Sequence, residues 1–257
     1  MMRGNGPPPG RCLGPALLLL LAGGLASAAG PRVAFDRLSI DEGLLQSIVE
    51  QIVQDRQGFM WFVTEDGLNR FDGYTFTVYR NVAGDPSSLS HNELKSIYEN
   101  RAGFLWVGAF EGGLNRFDPS TEKVTRFRHD PADPGSLAAD TVRCILEDRS
   151  GRLWVGTQGG GLDLLDRASG TFGHHRADPG TGGAISHDDI RAIYEDRAGV
   201  VWVGTSGGRL NRLDPATGRF TADRHRAQDL SSLADDAVSA ILEDERGTVW
   251  AGTDGAG

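Results

Sequence analysis

The chain is short of cysteine, short of positive charge, and has no apolar stretch long enough to cross a bilayer. Only Cys12 and Cys144 are present among 257 residues. Ahead of everything else stand Arg3 and Arg11, the apolar run Ala16 to Ala22 and the small-residue site Ala26-Ser27-Ala28, which together predict a Sec-type signal peptide over residues 1–29. The run is far below the roughly 20 residues that a spanning helix needs, and no later segment comes closer. An exported, periplasmic location is therefore expected, with anchorage to the inner membrane only through sequence downstream of Gly257. Cys12 precedes the apolar run, so it is misplaced for lipidation and leaves with the leader. Cys144 then stands alone, which excludes an intramolecular disulfide even in an oxidising compartment. The formal charge is −9 with 26 Lys and Arg against 35 Asp and Glu, and the leader removes two arginines and no acids. Such a surface repels phosphate backbones, and no basic cluster offsets it, so nucleic acid is excluded as a partner.

Glycine, in contrast, is plentiful. The 36 glycines are about twice the usual share. No Gly-X-Y period makes them collagenous, and a helical bundle would be weakened by them. Many tight turns account for them, and 39% apolar residues suffice for a substantial core.

Self-similarity sets the architecture. Trp61, Trp106, Trp154, Trp202 and Trp250 are separated by 45, 48, 48 and 48 residues, a period of propeller blades. Ahead of each Trp an apolar segment ends in Asp55, Asn100, Asp148, Asp196 or Asp244. Three residues on comes Gly58, Gly103, Gly151, Gly199 or Gly247, the spacing of a type I hairpin turn whose glycine takes positive φ. The Trp strand, a third strand such as Leu114 to Asp118 and a polar fourth such as Lys123 to Arg128 complete one unit. A long return such as Asp133-Pro134-Gly135-Ser136-Leu137 leads to the next. Asn92, Asp140, Asp188 and Asp236 precede each new inner strand and are expected to bond the turn backbone. An indole buries roughly 150–250 Å², worth about 4–6 kcal/mol gross. A lone four-stranded sheet cannot bury it, whereas stacked copies can.

The expected fold is all-β: a β-propeller of four-stranded antiparallel blades over residues 30–257, with an incomplete ring. Four full blades fall near 47–80, 92–129, 140–176 and 188–226, and a fifth is partial at 236–257. Residues 32–38 form an orphan strand of the kind that closes a ring. Because an open sheet exposes a long unpaired edge, the chain reads as a fragment.

The string Gly58-Phe59-Met60-Trp61-Phe62-Val63-Thr64-Glu65-Asp66-Gly67-Leu68-Asn69-Arg70-Phe71-Asp72-Gly73, with Gly151-Arg152-Leu153-Trp154-Val155-Gly156-Thr157 later, resembles the two-component regulator propeller repeat. Phe35 to Leu44 is similar to the usual start of such sensors. The resemblance implies a periplasmic sensor, typically seven-bladed, followed by a β-sandwich, a membrane helix and a cytoplasmic output. That output is usually a histidine kinase, often hybrid, and in some relatives a diguanylate cyclase. The full receptor is then expected to be a dimer, and in many members the signal is a glycan fragment. The implied role for this chain is ligand sensing in signal transduction, with no catalysis and no cofactor of its own.

Candidate ligand residues are those that break the repeat on the loops between second and third strands, where propeller function tends to lie. Phe110 stands where other units have Glu65, Gln158, Ser206 and Asp254, and Arg209 replaces the glycine seen as Gly113 and Gly161. Phe110, Glu111, Gln158, Ser206 and Arg209 are the set, with the aromatic ring suited to stacking on a sugar. Competing readings are weaker. Gly204-Thr205-Ser206-Gly207-Gly208 matches the hydrolase nucleophile elbow, but that motif demands strand–turn–helix context. The six histidines form no zinc pattern, and His174 and His175 read as solvated edge residues. Cys144 replaces Ser96, Ala192 and Ala240 and reads as a small packed residue. A lyase resembling virginiamycin B lyase has shorter repeats without the Gly-Leu-Asn-Arg-Phe-Asp strand. A secreted interaction scaffold is separated from a receptor only by the sequence downstream of Gly257.

Overall fold

In each repeat, turn-bounded β-branched and aromatic runs become strands, eighteen in all among the described residues. The structure, a computed structural model, describes residues 37–229 and 231–255; apart from Arg37 these belong to the unit that begins at Leu38. The expected signal peptide lies outside them. So does most of the expected 32–38 strand, and Arg37 and Leu38 carry no strand.

Blade 1 comprises β1 (Val49–Gln54), β2 (Met60–Thr64), β3 (Gly67–Phe71) and β4 (Phe76–Tyr79). Blade 2 comprises β5 (Leu94–Glu99), β6 (Leu105–Ala109), β7 (Gly113–Asp118) and β8 (Lys123–Phe127). Blade 3 comprises β9 (Val142–Glu147), β10 (Leu153–Thr157), β11 (Gly161–Asp166) and β12 (Thr171–His175), and blade 4 comprises β13 (Ile190–Glu195), β14 (Val201–Thr205), β15 (Arg209–Asp214) and β16 (Arg219–Asp223). Blade 5 shows β17 (Val238–Glu243) and β18 (Val249–Thr253). Each four-stranded sheet is a meander in sequence order, and all pairings between its strands are antiparallel. First strands touch one another in succession, β1 to β5 to β9 to β13 to β17, so they form the inner lining.

Tryptophan packs between blades, as its bulk requires. Trp61 joins Leu94, Leu105 and Phe117 of blade 2, Trp106 joins Val142, Leu153 and Phe172 of blade 3, and Trp154 joins Ile190, Val201 and Phe220 of blade 4. In the two-stranded fifth sheet Trp250 is 60% exposed.

Hairpin aspartates do more than the sequence pattern suggested. Gly58 and its four counterparts adopt φ between +82° and +93°, as the turn demands. Asp148 Oδ1 accepts from the Ser150 and Arg152 amides, each at 3.0 Å, while its Oδ2 accepts from Trp154 Nε1 at 2.9 Å and Arg152 Nε at 2.6 Å. One carboxylate thus ties the turn to the buried indole. The same indole bond recurs at Asp55, Asp196 and Asp244.

Three further devices lock neighbouring blades. Buried Asn69, Asn115, Asp163 and Asn211 accept from Leu45, Ser90, Ala138 and Ser186 amides of the incoming crossing segments, which explains the asparagine in the repeated third strand. Asn92, Asp140, Asp188 and Asp236 accept from the amides of Asn81, His129, Ala177 and His225 at the preceding outer strand's end. On the hairpin side, Arg56, Arg101, Arg149 and Arg197 each donate to a main-chain carbonyl of the next blade's turn, at Arg101, Arg149, Arg197 and Glu245 respectively.

Two expectations change. His174 and His175 are not merely solvated edge residues. His174 Nδ1 lies 2.6 Å from Asp163 Oδ1 and its Nε2 lies 2.9 Å from the Pro134 carbonyl, because Asp163 replaces the asparagine of the other repeats and needs a partner. His175 fills the place of Tyr79 and Phe127 and packs on Trp154 and Phe220, with ring centroids 5.7 and 5.4 Å away.

Cys144 is a packed side chain against the Trp154 cluster. Burial pushes its thiol up to about 12. Only the thiolate reacts, so at pH 8 alkylation by iodoacetamide is expected to be about a thousandfold slower than in urea-unfolded chain. Comparable rates in the two states would contradict this.

Candidate functional site

The second residue of each first strand sits on an irregularity of the ladder. Register slips between Val49 and Gln51, Leu94 and Ser96, Val142 and Cys144, and Ile190 and Ala192. The skipped residues are Glu50, Lys95, Arg143 and Arg191, and a bulge re-aims such a side chain out of the alternating pattern. All four charges therefore gather on the inner rim beside the loops between second and third strands.

Their partners include the residues singled out from the sequence. Arg143 Nη2 donates to Gln158 Oε1 at 2.6 Å, and Arg191 Nη2 donates to Ser206 Oγ at 3.3 Å. Arg191 also lies 3.9 Å from Asp189 and 3.8 Å from Asp254. In blade 2 the equivalent loop position is the apolar Phe110, and Lys95 turns instead to Glu50 at 2.7 Å, Glu93 at 2.9 Å and Glu65 at 3.9 Å. Partial burial opposes the charge on Lys95, but Glu50 and Glu93 outweigh it and lift its pKa. Among the described residues, Arg143 Nε, Arg191 Nε and Asp189 Oδ1 are buried without a hydrogen-bond partner, so the rim between blades 3 and 4 holds unspent polar capacity.

Thr141 brings two predicted residues together: its Oγ1 accepts from the Glu111 amide at 3.2 Å and its carbonyl from the Gln158 amide at 2.9 Å. Phe110 is half-buried, and its amide donates to Glu93 O at 2.9 Å. Arg209 lies apart from this row. It lines a cavity of about 450 Å³ with Asp178, Thr181, Ile185 and Phe220.

Glu111 and Arg209 share one peculiarity. They hold φ of +51° and +122° where other repeats place glycine, as at Gly159 and Gly161. At Gly67 and Gly113, the counterparts of Arg209, an added Cβ would press on the Tyr79 and Phe127 carbonyls, so a side chain at Arg209 is strained, whereas at Gly159 and Gly207, the counterparts of Glu111, it would meet nothing within 4 Å. Glu122, the third non-glycine residue at positive φ, has a structural reason: it accepts from Tyr79 OH at 2.7 Å and faces Arg70. Neither Glu111 nor Arg209 has such a side-chain partner among the described residues.

No three His, Cys, Asp or Glu side chains converge as metal ligands among the described residues. Ser206 lies in a tight turn between antiparallel β14 and β15, which is not the strand–turn–helix of a nucleophile elbow. The rim charges were missed in the sequence because the position falls inside a strand and is Glu50 in the first repeat and Ser239 in the fifth; the ladder slip that unites them is a backbone property.

This is a β-propeller region of tandem tryptophan-anchored repeats, with a charged inner rim and variable loops. The sequence model for the family described as two component regulator propeller matches residues 136–159, 184–207 and 232–255; the chain carries repeats of that family. A histidine kinase, P4 from Formosa agariphila, is 53% identical over 49 residues, covering 19% of this chain and 4% of that protein. The extracellular domain of a protein assigned as a hybrid two-component system of B. thetaiotaomicron is 26% identical with a TM-score of 0.56, covering 86% of this chain and 41% of the other. A second such extracellular domain from that organism is 27% identical with a TM-score of 0.62, covering 80% and 28%. The chain thus spans less than half the length of each of these proteins. No helix among the described residues is long and apolar enough to cross a membrane.

Proposed function

We propose that the chain is the extracytoplasmic, non-catalytic sensing region of a two-component receptor, and that it takes a small ligand on the face bearing Phe110, Glu111, Gln158, Ser206 and Arg209. The observation that carries the reading is the strained placement of Arg209, with Glu111 also at positive φ, where the repeat elsewhere has glycine. Strain that serves no packing contact is retained where a side chain must be presented. Likeness to extracellular domains of two-component systems supports the receptor context, and the short histidine kinase match supports a kinase output. A sugar ring fits the half-buried Phe110 beside polar rim groups, so a glycan fragment is the proposed ligand class, and a dimeric full receptor the proposed assembly.

The test is a thermal-shift screen of glycan fragments followed by calorimetric titration of the best binder. Phe110→Ala should weaken binding several-fold, the worth of about 1 kcal/mol of ring contact, without lowering the melting temperature. Arg209→Gly should raise stability by about 1 kcal/mol through relief of backbone strain and also weaken binding. Unchanged affinity in both variants would remove this face from ligand recognition.

A further inference from the structure

The joint between blades 3 and 4 departs from its neighbours along the crossing segment. Asp85, Asp133 and Asp229 stand at one position of the other three crossings and accept from the amides of Ser87, Gly135 and Ser231. Ser88, Ser136 and Ser232 follow, and their hydroxyls accept from the amides of Val82, Asp130 and Arg226. The crossing into blade 4 has Thr181 and Ala184 at these two places, with Gly182 and Gly183 between them. It therefore lacks the carboxylate and much of the side-chain bulk.

The consequence is a cavity of about 400 Å³ between β12 and β16, against about 230 Å³ at the joint of blades 1 and 2. Its charge differs as well. The smaller cavity is lined by Asp85 and Glu122, and the one at the joint of blades 4 and 5 by Asp223 and Asp229. Among the described residues no carboxylate lines the larger cavity, whereas His175, Arg176 and Arg219 do. Arg80 and Arg128, the counterparts of Arg176, are matched by Asp66 and Asp140. Arg176 and Arg219 are both exposed, and neither forms an ion pair among the described residues. The carboxylate whose field reaches Arg176 is Asp163, which is buried and already bonded by His174 and the Ala138 amide. Arg219 lies against Gly183 and donates to the Gly182 carbonyl, which fixes its guanidinium at the cavity and leaves other N–H groups to spare. The ring nitrogens of His175 are neither bonded nor shut off from solvent among the described residues. Burial, with His174 beside it, lowers the pKa of His175, so at neutral pH its ring presents one N–H.

We propose that this cavity binds a tetrahedral oxyanion, the head of a sulfate or phosphate ester, between Arg176 and Arg219 with the His175 N–H as a third donor. These donors stand on two different strands, which suits the three terminal oxygens of such a group better than the two of a carboxylate. Two uncompensated guanidinium groups are the more telling in a chain of net charge −9. The site uses none of the five residues assigned to the loop face and stands independently of that assignment.

Glucose 6-phosphate and glucose 6-sulfate are the probes and glucose their neutral counterpart, titrated calorimetrically into the full chain at constant ionic strength. The expected result is saturable ester binding on the order of millimolar affinity, well above any response to glucose. A response to one ester alone identifies the source of the oxyanion and supports the site. Thr181→Asp, which restores the acid of the other crossings, should weaken ester binding roughly tenfold. Arg219→Gln should weaken it by a similar factor and keeps the test open if the first variant misfolds. Arg224→Gln, one blade on from Arg176, should leave it unchanged. Binding of neither ester, an equal response to glucose, undiminished binding in a folded variant, or an equal loss in Arg224→Gln would overturn the proposal.

Discussion

Replacing Asp148 with alanine is expected to cost about 3–5 kcal/mol of stability, the range for stripping a buried charged group from its partners. The carboxylate is buried and accepts from two main-chain amides, a serine hydroxyl, a guanidinium and an indole. Its loss leaves Trp154 Nε1 unpaired and unties the turn at once. Burial alone would raise the pKa of Asp148, but the bonds from Ser150, Trp154 and Arg152 outweigh it and hold the pKa below the usual aspartate value. A carboxyl depressed in the folded state contributes stability that is complete above its unfolded pKa, about 3.9, and is lost as pH falls through the folded value. Urea unfolding should therefore show the wild-type advantage over Asp148→Ala at pH 7 and its shrinkage below about pH 4. A difference under about 1 kcal/mol at pH 7 would show that the carboxylate is not the tie proposed.

Gly156→Ala should be nearly as damaging, by about 2–3 kcal/mol of overpacking. Glycine stands opposite a small residue in this register in blades 2 to 4, Gly108 against Ser96, Gly156 against Cys144 and Gly204 against Ala192. A Cβ on Gly156 would press on Cys144 Sγ within the blade and come within 2.7 Å of Ile190 Cγ2 in the next. Adding Cys144→Ala removes one of the two obstacles, so the double variant should recover part of the loss. Full additivity of the two changes would argue against a shared contact.

The tandem sheet arrangement was legible in the sequence because period, turn glycine and tryptophan all serve one packing need, burial of an indole against a neighbouring copy. The candidate site was legible only in outline. Phe110 and Arg209 could be found as departures from the repeat, but Lys95, Arg143 and Arg191 lie inside a strand whose alternation gives no sign of where they point, and only the slipped ladder places them on one rim. Asp148 and its counterparts were read as turn residues alone, since nothing linear shows that an indole six residues later folds back onto the same carboxylate. His174 was misjudged for a related reason: its partner Asp163 is a change in a different strand.

The arginines of the hairpin side all reach the same way round, from each blade to the turn of its successor. Blade boundaries are for that reason asymmetric: every joint has a giving side and a receiving side, like shingles laid in one direction. Each turn thus receives its predecessor's guanidinium on a main-chain carbonyl and reaches its successor with its own, while the Arg56, Arg149 and Arg197 amides also donate to Glu99, Glu195 and Glu243 of the next blade.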